Sequence, residues 1–207
     1  MAKFPILPRG FYLDPPDVVS QRLLGKLLVR RYPADPGSGK KTKRLAGRIV
    51  EVEAYFGLDD PAAHTFVGKT ARNAVLFGPP GFAYVYFIYG MYFCLNFSCE
   101  PDGRPGGVLL RALEPVEGLE TMARLRGLTS TARPRLLTSG PGRLCQALGI
   151  VRETHNGIDV TSPRSGLHVE DDGFVPQQIA ASPRIGIRKA ADRPLRFTIA
   201  GNPFVSG

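Results

Sequence analysis

Three apolar runs with a strand-like pattern lie between residues 45 and 114, and they restrict the fold more than any other feature of the chain. They cover residues 45–55, 82–99 and 107–114. The run over 82–99 is divided by Gly90 and therefore predicts the two strands of a β-hairpin. Helical patterns lie around these strands. This order of elements predicts an α+β fold with a mostly antiparallel sheet and surrounding helices.

Further elements are expected outside these runs. Asp14 as the N-cap and Pro15 at the first helical position predict a helix that ends at Gly25. Two more helices are expected over 115–126 and 144–148. The remaining strands are expected over 26–31, 158–160, 184–188 and 195–201.

The chain carries an excess of positive charge. It has 27 Lys and Arg against 18 Asp and Glu, a formal net charge of +9. Such a balance favours an anionic partner, with nucleic acid first and a membrane surface second. A basic run over 40–44 closes a polar loop, and it is read either as a solvated segment or as a phosphate contact.

Length, cysteines and histidines limit the class of protein further. A chain of 207 residues is expected to form one domain over 1–207. Its three cysteines form no CxxC pair and its three histidines lack zinc-finger spacing, so we expect no disulfide framework and no metal. The first ten residues lack an apolar signal segment, and the run over 82–97 is too short and too polar to cross a membrane. We therefore expect a cytoplasmic protein without a membrane partner or a cofactor.

Two glutamates share one face of the strand predicted over 45–55. Ile49, Glu51, Glu53 and Tyr55 alternate with a mostly apolar face. A buried carboxylate needs a partner, and Arg111 is the lone charge in the run over 107–114. The glutamates and Arg111 are interpreted either as an ion pair that fixes the register of the strands or as a general base that the arginine orients. Strand spacing does not choose between Glu51 and Glu53.

Tyrosines are concentrated in the predicted hairpin, at Tyr84, Tyr86, Tyr89 and Tyr92. They form either an aromatic core strand or a surface on which nucleobases stack. Aromatic faces would also favour a positively charged base over a neutral one. The sequence over 138–143, TSGPGR, precedes a helix and is read as a plain turn or as an anion-binding helix start.

Five ordered blocks of sequence carry a further indication. They are GRIVEVEAYFGLDDPAAH (47–64), YVYFIYGMYFCLNFS (84–98), GVLLRALEPVEGLE (107–120), SGPGRLCQALGI (139–150) and PRIGIRK with RPLRF (within 183–197). These blocks resemble the alkyladenine (3-methyladenine) DNA glycosylases over most of the chain. The resemblance implies a single α+β domain with a curved, mostly antiparallel sheet and a protruding β-hairpin.

The resemblance also implies roles at the reaction centre. Glu53 matches the general base of the family, and Arg111 matches a residue that helps hold the attacking water. Ile185 matches a position whose backbone carbonyl orients that water. The base pocket is implied to comprise Tyr55, His64, Tyr86 and Asn96, with Asn96 crowding the exocyclic amino group of guanine.

The implied contacts with the duplex lie around this pocket. Tyr89 matches the side chain that is pushed into the duplex to fill the gap left by the flipped nucleotide. The residues implied to line the DNA backbone are Thr70, Arg72, Tyr92, Gly140 and Arg143.

The implied activity is release of alkylated purines, extending to deaminated ones, from double-stranded DNA. The enzyme would act as a monomer, and without a lysine at the centre it would not cleave the strand. Two other interpretations stay open on the residues alone. One is a non-catalytic nucleic-acid-binding module that stacks bases on the tyrosine hairpin, and the other is a hydrolase that acts on RNA.

Overall fold

The computed structural model describes residues 2–39, 41–129 and 133–207. Eight strands lie in these residues: β1 (Leu27–Pro33), β2 (Thr42–Tyr55), β3 (Ala83–Ile88), β4 (Tyr92–Ser98), β5 (Gly107–Glu117), β6 (Leu167–Glu170), β7 (Ile179–Ser182) and β8 (Arg196–Ile199). All of the strand pairs are antiparallel. The main path of the sheet is β3-β4-β5-β2-β1-β6, and the sheet curls into a half-barrel. The fold is therefore α+β with a curved antiparallel sheet, as predicted.

Strand β2 is the centre of this sheet. One edge pairs with β5 over residues 46–55. The other edge pairs first with β1 over 42–48 and then with β8 over 51–53. Glu51, Val52 and Glu53 are all 0% exposed, so β2 is covered on both faces as well as paired along both edges. The sheet thus places two carboxylates where water does not reach them freely.

The helices cover the sheet. They are α1 (Pro16–Leu23), α2 (Leu119–Leu125), α3 (Arg135–Thr138), α4 (Pro141–Ala147) and α5 (Arg152–His155), with short 3-10 turns at Arg9–Tyr12, Gly57–Asp59 and Ala74–Phe77. Helix α1 packs on β2, and α4 packs on β4. One core cluster joins these layers, with Leu23, Val52, Leu110 and Leu144 among its fully buried members. Among the described residues, no helix has the length and hydrophobicity that a bilayer crossing requires.

Several predicted elements have different bounds. The first helix begins at Pro16, with Pro15 as an N-cap without a side-chain cap, and the Asp14 carboxylate instead pairs with Arg22 at 2.5 Å. The helix expected over 115–126 begins only at Leu119, because β5 continues to Glu117 across a register shift opposite Ala46 and Gly47. A proline without an N–H is tolerated at such an irregularity.

Two predicted strands are wrong. Residues 158–160 form only an isolated bridge between Asp159 and Phe82, because the Asp159 carboxylate accepts hydrogen bonds from Thr161 and closes a turn. Residues 184–188 are irregular, with Gly186 at a φ of +78°. The sequence did not predict β6, β7, α3 and α5.

The predicted alternation along β2 also fails at one point. Register shifts lie between Ile49 and Glu51 and between Glu51 and Val52. A β-bulge breaks the two-residue period, and Ile49 joins Val50 and Val52 in the core cluster instead of sharing a face with the glutamates. In the basic run over 40–44, Lys40 lies outside the described residues, and Lys43 and Arg44 are paired with Asp35 and Glu117.

Candidate active site

A cavity of about 540 Å³ opens beside the hairpin strands β3 and β4. Its lining is mostly aromatic and small, and two arginines, Arg111 and Arg143, reach it. The aromatic lining residues are Tyr55, His64, Tyr84, Tyr86, Tyr89 and Tyr92. Concave, largely apolar pockets of this size with a few polar groups are typical ligand sites.

The Glu53 carboxylate lies directly behind one wall of this cavity. Its Oε1 accepts a hydrogen bond from the Ile185 backbone N–H at 2.8 Å and lies 3.2 Å from Arg111 Nη1. Its Oε2 accepts a hydrogen bond from the Tyr55 hydroxyl at 2.8 Å. Glu53 has 0% exposure, whereas its three partners all line the cavity. A molecule in the cavity therefore reaches Glu53 only by displacing one of these partners.

Arg111 joins the two glutamates that strand spacing left equivalent. Its Nε donates to Glu51 Oε1 at 2.9 Å, and its Nη1 faces Glu53. Burial lowers the pKa of Arg111, but the charges of Glu53 and Glu51 outweigh this effect and raise it above its ordinary value. The guanidinium therefore stays charged between the two carboxylates.

Glu51 has its other contacts away from the cavity. It accepts hydrogen bonds from Arg196 Nε at 2.7 Å and from the Ser206 backbone N–H at 2.6 Å. Neither glutamate lines the cavity, but Tyr55 and Ile185, which donate to Glu53, do. The Glu51 carboxylate is occupied by the donors named above. Its position fits an ion pair that holds Arg111, whereas Glu53 lies next to the cavity.

His64 lies against the tyrosines of β3. Its ring is 4.5 Å from the ring of Tyr86 in an edge-to-face arrangement, and its Nδ1 is 3.0 Å from the Tyr84 hydroxyl. Desolvation and then the charge of Arg72 lower the pKa of His64 below its ordinary value, so the ring is neutral at pH 7. The Asn73 side chain holds the His64 carbonyl oxygen at 2.9 Å, which fixes the loop that carries this histidine.

The hydroxyls of Tyr55 and Tyr86 remain protonated. Burial, followed by the nearby Glu53, raises the pKa of Tyr55. Burial, followed by the nearby Cys94 thiol, also raises the pKa of Tyr86. Neutral phenols keep their aromatic faces free of a competing negative charge, so these rings are suited to stacking.

Comparison with known proteins gives a consistent result. Residues 10–203 match the family described as Methylpurine-DNA glycosylase (MPG). A protein of Koribacter versatilis (strain Ellin345) is 56% identical over 207 residues, which are 100% of this chain and 96% of that protein. A protein of Burkholderia cenocepacia (strain HI2424) is 48% identical over 203 residues, 98% of this chain and 91% of that protein. A protein of Methanocella arvoryzae (strain DSM 22066 / NBRC 105507 / MRE50) is 48% identical over 205 residues, 98% of this chain and 96% of that protein. All three carry a provisional name as 3-methyladenine DNA glycosylases.

The chain belongs to the methylpurine-DNA glycosylase family. The resemblance stated from the sequence motifs is thereby confirmed. The protein is a DNA glycosylase, a hydrolase whose substrate is DNA.

The hairpin tip of this methylpurine-DNA glycosylase carries Tyr89. This residue has a left-handed backbone with a φ of +54° and is 77% exposed. The neighbouring Met91 is 61% exposed. A bulky residue at positive φ is an uncommon, strained conformation, and here it presents the ring at the cavity rim. Protrusion of the hairpin from the fold stays a prediction.

Asn96 lies deeper in the cavity wall. It is 7% exposed, and its Nδ2 donates to the Tyr84 carbonyl oxygen at 3.2 Å. Register places it opposite Tyr84 on β3 and Leu109 on β5. The backbone of Asn96 is therefore paired on both edges of β4, and its side chain is held by the hydrogen bond to Tyr84.

The segment that begins α4 forms the opposite rim. The Gly140 N–H donates to the Arg111 carbonyl oxygen at 3.0 Å, and Arg143 Nη1 donates to the Ser139 carbonyl oxygen at 3.2 Å. A Cβ added at Gly142 would lie 2.8 Å from the Tyr92 ring, so only glycine allows this close approach. Gly140, Arg143 and Tyr92 thus lie together at the cavity, and their contact with the DNA backbone stays a prediction.

Thr70 and Arg72 lie on the exposed connection between β2 and β3. The Thr70 N–H donates to Asn73 Oδ1 at 2.7 Å, which closes the loop. The Arg72 guanidinium lies 5.6 Å from the centre of the Tyr86 ring. Arg72 therefore lies beside the aromatic wall, whereas Thr70 contacts the loop and not the cavity lining.

Sequence reasoning missed four residues that shape the site. Tyr84 was noted only as one of several tyrosines, and Asn73, Asp60 and Arg184 were not singled out. Asp60 and Arg184 form a buried ion pair beside Tyr55. Both residues lie within the sequence blocks that resemble the family, but the sequence does not show that they are buried, and their burial is what marks them as part of the site. Within the described ranges, no group of three or more His, Cys, Asp or Glu is arranged to hold a metal ion.

Proposed function

We propose that this enzyme releases cationic alkylated purines, such as 3-methyladenine and 7-methylguanine, from double-stranded DNA. It flips the damaged nucleotide into the cavity and hydrolyses the glycosidic bond with a water activated by Glu53. The proposal includes one domain over 1–207 that acts as a monomer without a cofactor in the compartment that holds the DNA. The observation that carries it is the Glu53 carboxylate, paired with Arg111 directly behind a tyrosine-lined cavity.

The cavity supports selection of a positively charged base. Tyr55, Tyr86 and His64 supply aromatic surfaces, and each face attracts a cation by roughly 0.5–2 kcal/mol. His64 is neutral, so it does not repel a cationic purine. A damaged base is also the cheapest to flip, because its stacking and pairing are weakened.

The chemistry follows from the charge of the base. An N3- or N7-alkylated purine is cationic, so it departs with the bonding electron pair as a neutral base and needs no added proton. The sugar then becomes oxocarbenium-like. Water forms the new C1′–O bond and transfers a proton to Glu53. The negative charge of Glu53 also stabilises the developing positive charge before that transfer.

Water must reach Glu53 for this step. Oε1 accepts a hydrogen bond from the Ile185 N–H and forms an ion pair with Arg111, whereas Oε2 has only the Tyr55 hydroxyl among the described residues. We propose that water enters at Oε2 in exchange for the Tyr55 hydroxyl as the base stacks. The backbone carbonyl of Ile185 then helps to orient the water.

The rim residues fit the duplex around the flipped nucleotide. Tyr89 fills the vacated space in the stack. The phosphate backbone lies along Thr70, Arg72, Tyr92, Gly140 and Arg143. Asn96 crowds the exocyclic amino group that guanine and 7-methylguanine share. The cationic 7-methylguanine is still released because its glycosidic bond is already weakened, whereas undamaged guanine is not.

The reaction leaves the DNA strand intact. Strand cleavage by a glycosylase would need an amine that attacks C1′ and forms a Schiff base. The described residues that line the cavity include no lysine. The product is therefore an abasic site in a continuous strand.

The test is incubation of the protein with a methylated duplex. Heating in alkali should then cleave the strand at purines, whereas the sample without alkali should stay intact. Cleavage without alkali would contradict the hydrolytic mechanism. Absence of abasic sites, with equal affinity for undamaged single strands, would instead support a non-catalytic binding module. Release from alkylated RNA alone would support the RNA hydrolase.

A further inference from the structure

A buried ion pair between Arg184 and Asp60 lies behind the cavity wall, next to Tyr55. Arg184 Nη1 lies 2.5 Å from Asp60 Oδ2, and Nη2 donates to Asp60 Oδ1 at 2.9 Å. Both side chains have 0% exposure. Neither residue itself lines the cavity. The pair therefore does not contact a base in the cavity.

The pair connects three separate parts of the chain. Arg184 Nη1 also donates to the Ala54 carbonyl oxygen at 2.9 Å, at the end of β2. Asp60 accepts hydrogen bonds from the backbone N–H groups of Phe56 and Ala62. Strand β2, the turn after it and the segment after β7 are thus joined at one point.

The other side-chain contacts of the segment after β7 come from exposed residues: Arg193 lies 4.0 Å from Asp60 Oδ1, and Lys189 lies over the Phe66 ring. Among residues 183–194, all of which are described, Arg184 alone is buried. The next residue is Ile185, whose N–H donates to Glu53. Because Ile185 follows Arg184 directly, the ion pair sets where this N–H lies.

The same guanidinium also holds the second partner of Glu53. Its central carbon lies 4.5 Å from the centre of the Tyr55 ring. The Tyr55 hydroxyl donates to Glu53 Oε2. The Ile185 N–H and the Tyr55 hydroxyl, which both donate to Glu53, therefore depend on Arg184.

Stability alone does not account for this arrangement. Replacement of a buried ion pair by apolar side chains is often neutral or stabilising. In addition, Arg184 Nε is buried without a hydrogen-bond partner. A buried guanidinium with one unpaired N–H is expected to add little to stability. Its other N–H groups nevertheless hold three chain segments together.

We propose that Arg184 and Asp60 are positioning residues for hydrolysis. They hold the Ile185 N–H and the Tyr55 ring so that the Glu53 carboxylate faces the sugar of the flipped nucleotide. This inference rests on the proposed function, because it assigns the pair to the reaction of Glu53.

The test measures single-turnover release of 7-methylguanine from a methylated duplex at saturating enzyme. Arg184→Met should lower the rate at least tenfold. Its affinity for a duplex with a stable abasic-site analogue should change less than threefold. Arg184→Lys, which keeps a cation on Asp60, should recover part of the rate. Arg164→Met, an exposed arginine before β6, is the control and should keep the wild-type rate.

Asp60→Asn serves as the second variant, because it keeps an acceptor for Arg184 if Arg184→Met does not fold. We expect a rate loss of at least fivefold per folded molecule, counted by circular dichroism. A folded Asp60→Asn or Arg184→Met with the wild-type rate would overturn the inference, as would a rate loss matched by an equal loss of affinity. An inactive wild-type protein would overturn the proposed function itself.

Discussion

Replacement of Glu53 by glutamine is the sharpest perturbation of the proposed mechanism. The amide oxygen is expected to take the place of Oε1, which accepts from the Ile185 N–H and faces the Arg111 guanidinium. The amide nitrogen then takes the place of Oε2, and the Tyr55 hydroxyl rotates to accept a hydrogen bond. Arg111 keeps its ion pair with Glu51 at 2.9 Å. Glu53→Gln should therefore keep the fold and lose only the charge.

The expected loss follows from that charge. A carboxylate about 4 Å from a full positive charge contributes roughly 4 kcal/mol at an effective dielectric constant of about 20. An oxocarbenium-like sugar carries part of that charge, and loss of proton transfer adds about 10²-fold or more. The base-release rate should thus fall at least about 10²-fold, or about 2.7 kcal/mol at 1.36 kcal/mol per factor of ten.

The assay compares single-turnover release of 7-methylguanine with affinity for the methylated duplex. Glu53→Gln should bind the duplex within about threefold of the wild type. Glu120→Gln, an exposed change on α2, controls for loss of one negative charge elsewhere. A Glu53→Gln rate within tenfold of the wild type would refute Glu53 as the general base.

Three further predictions concern the duplex contact, the purine selection and the pH range. Tyr89→Ser should weaken binding to lesion duplexes, most for well-paired lesions, because the vacated stack stays empty; unchanged affinity in a fluorescence titration would count against the wedge. Asn96→Ala should admit guanine, and undetectable release of guanine from undamaged duplex would refute the exclusion role. Burial is the main cause that lowers the pKa of His155 and His168 below the ordinary value, so the unfolded chain binds protons that the folded protein does not. The contribution of each neutral histidine to the free energy of unfolding is therefore complete above about pH 6.5. Below that pH it falls by up to about 1.4 kcal/mol per pH unit for each histidine. The melting temperature should fall between pH 7.5 and 5.5 and fall less in His155→Gln; a flat profile would show that the buried histidines do not govern it.

Local pattern was sufficient for much of the fold and part of the site. Strand β2, the hairpin strands and β5 were predicted because their apolar runs and turn residues lie within a few positions of one another. The pairing of Arg111 with the glutamates was also predictable, since a lone charge in an apolar strand needs a partner. The choice of Glu53 over Glu51 came from the family motif and not from periodicity.

Residue identity and spacing alone determined the α+β class, the tyrosine-rich hairpin and the acid–arginine group, because these depend on neighbours along the chain. Tertiary structure alone decided the bulge at Ile49, since its register is set by pairing with β5. It also decided the burial of Arg184 against Asp60, which lies 124 positions away. Such contacts produce no periodic pattern in the sequence around either residue. The free energy that favours them is gained only when segments far apart in the chain pack together and are removed from water.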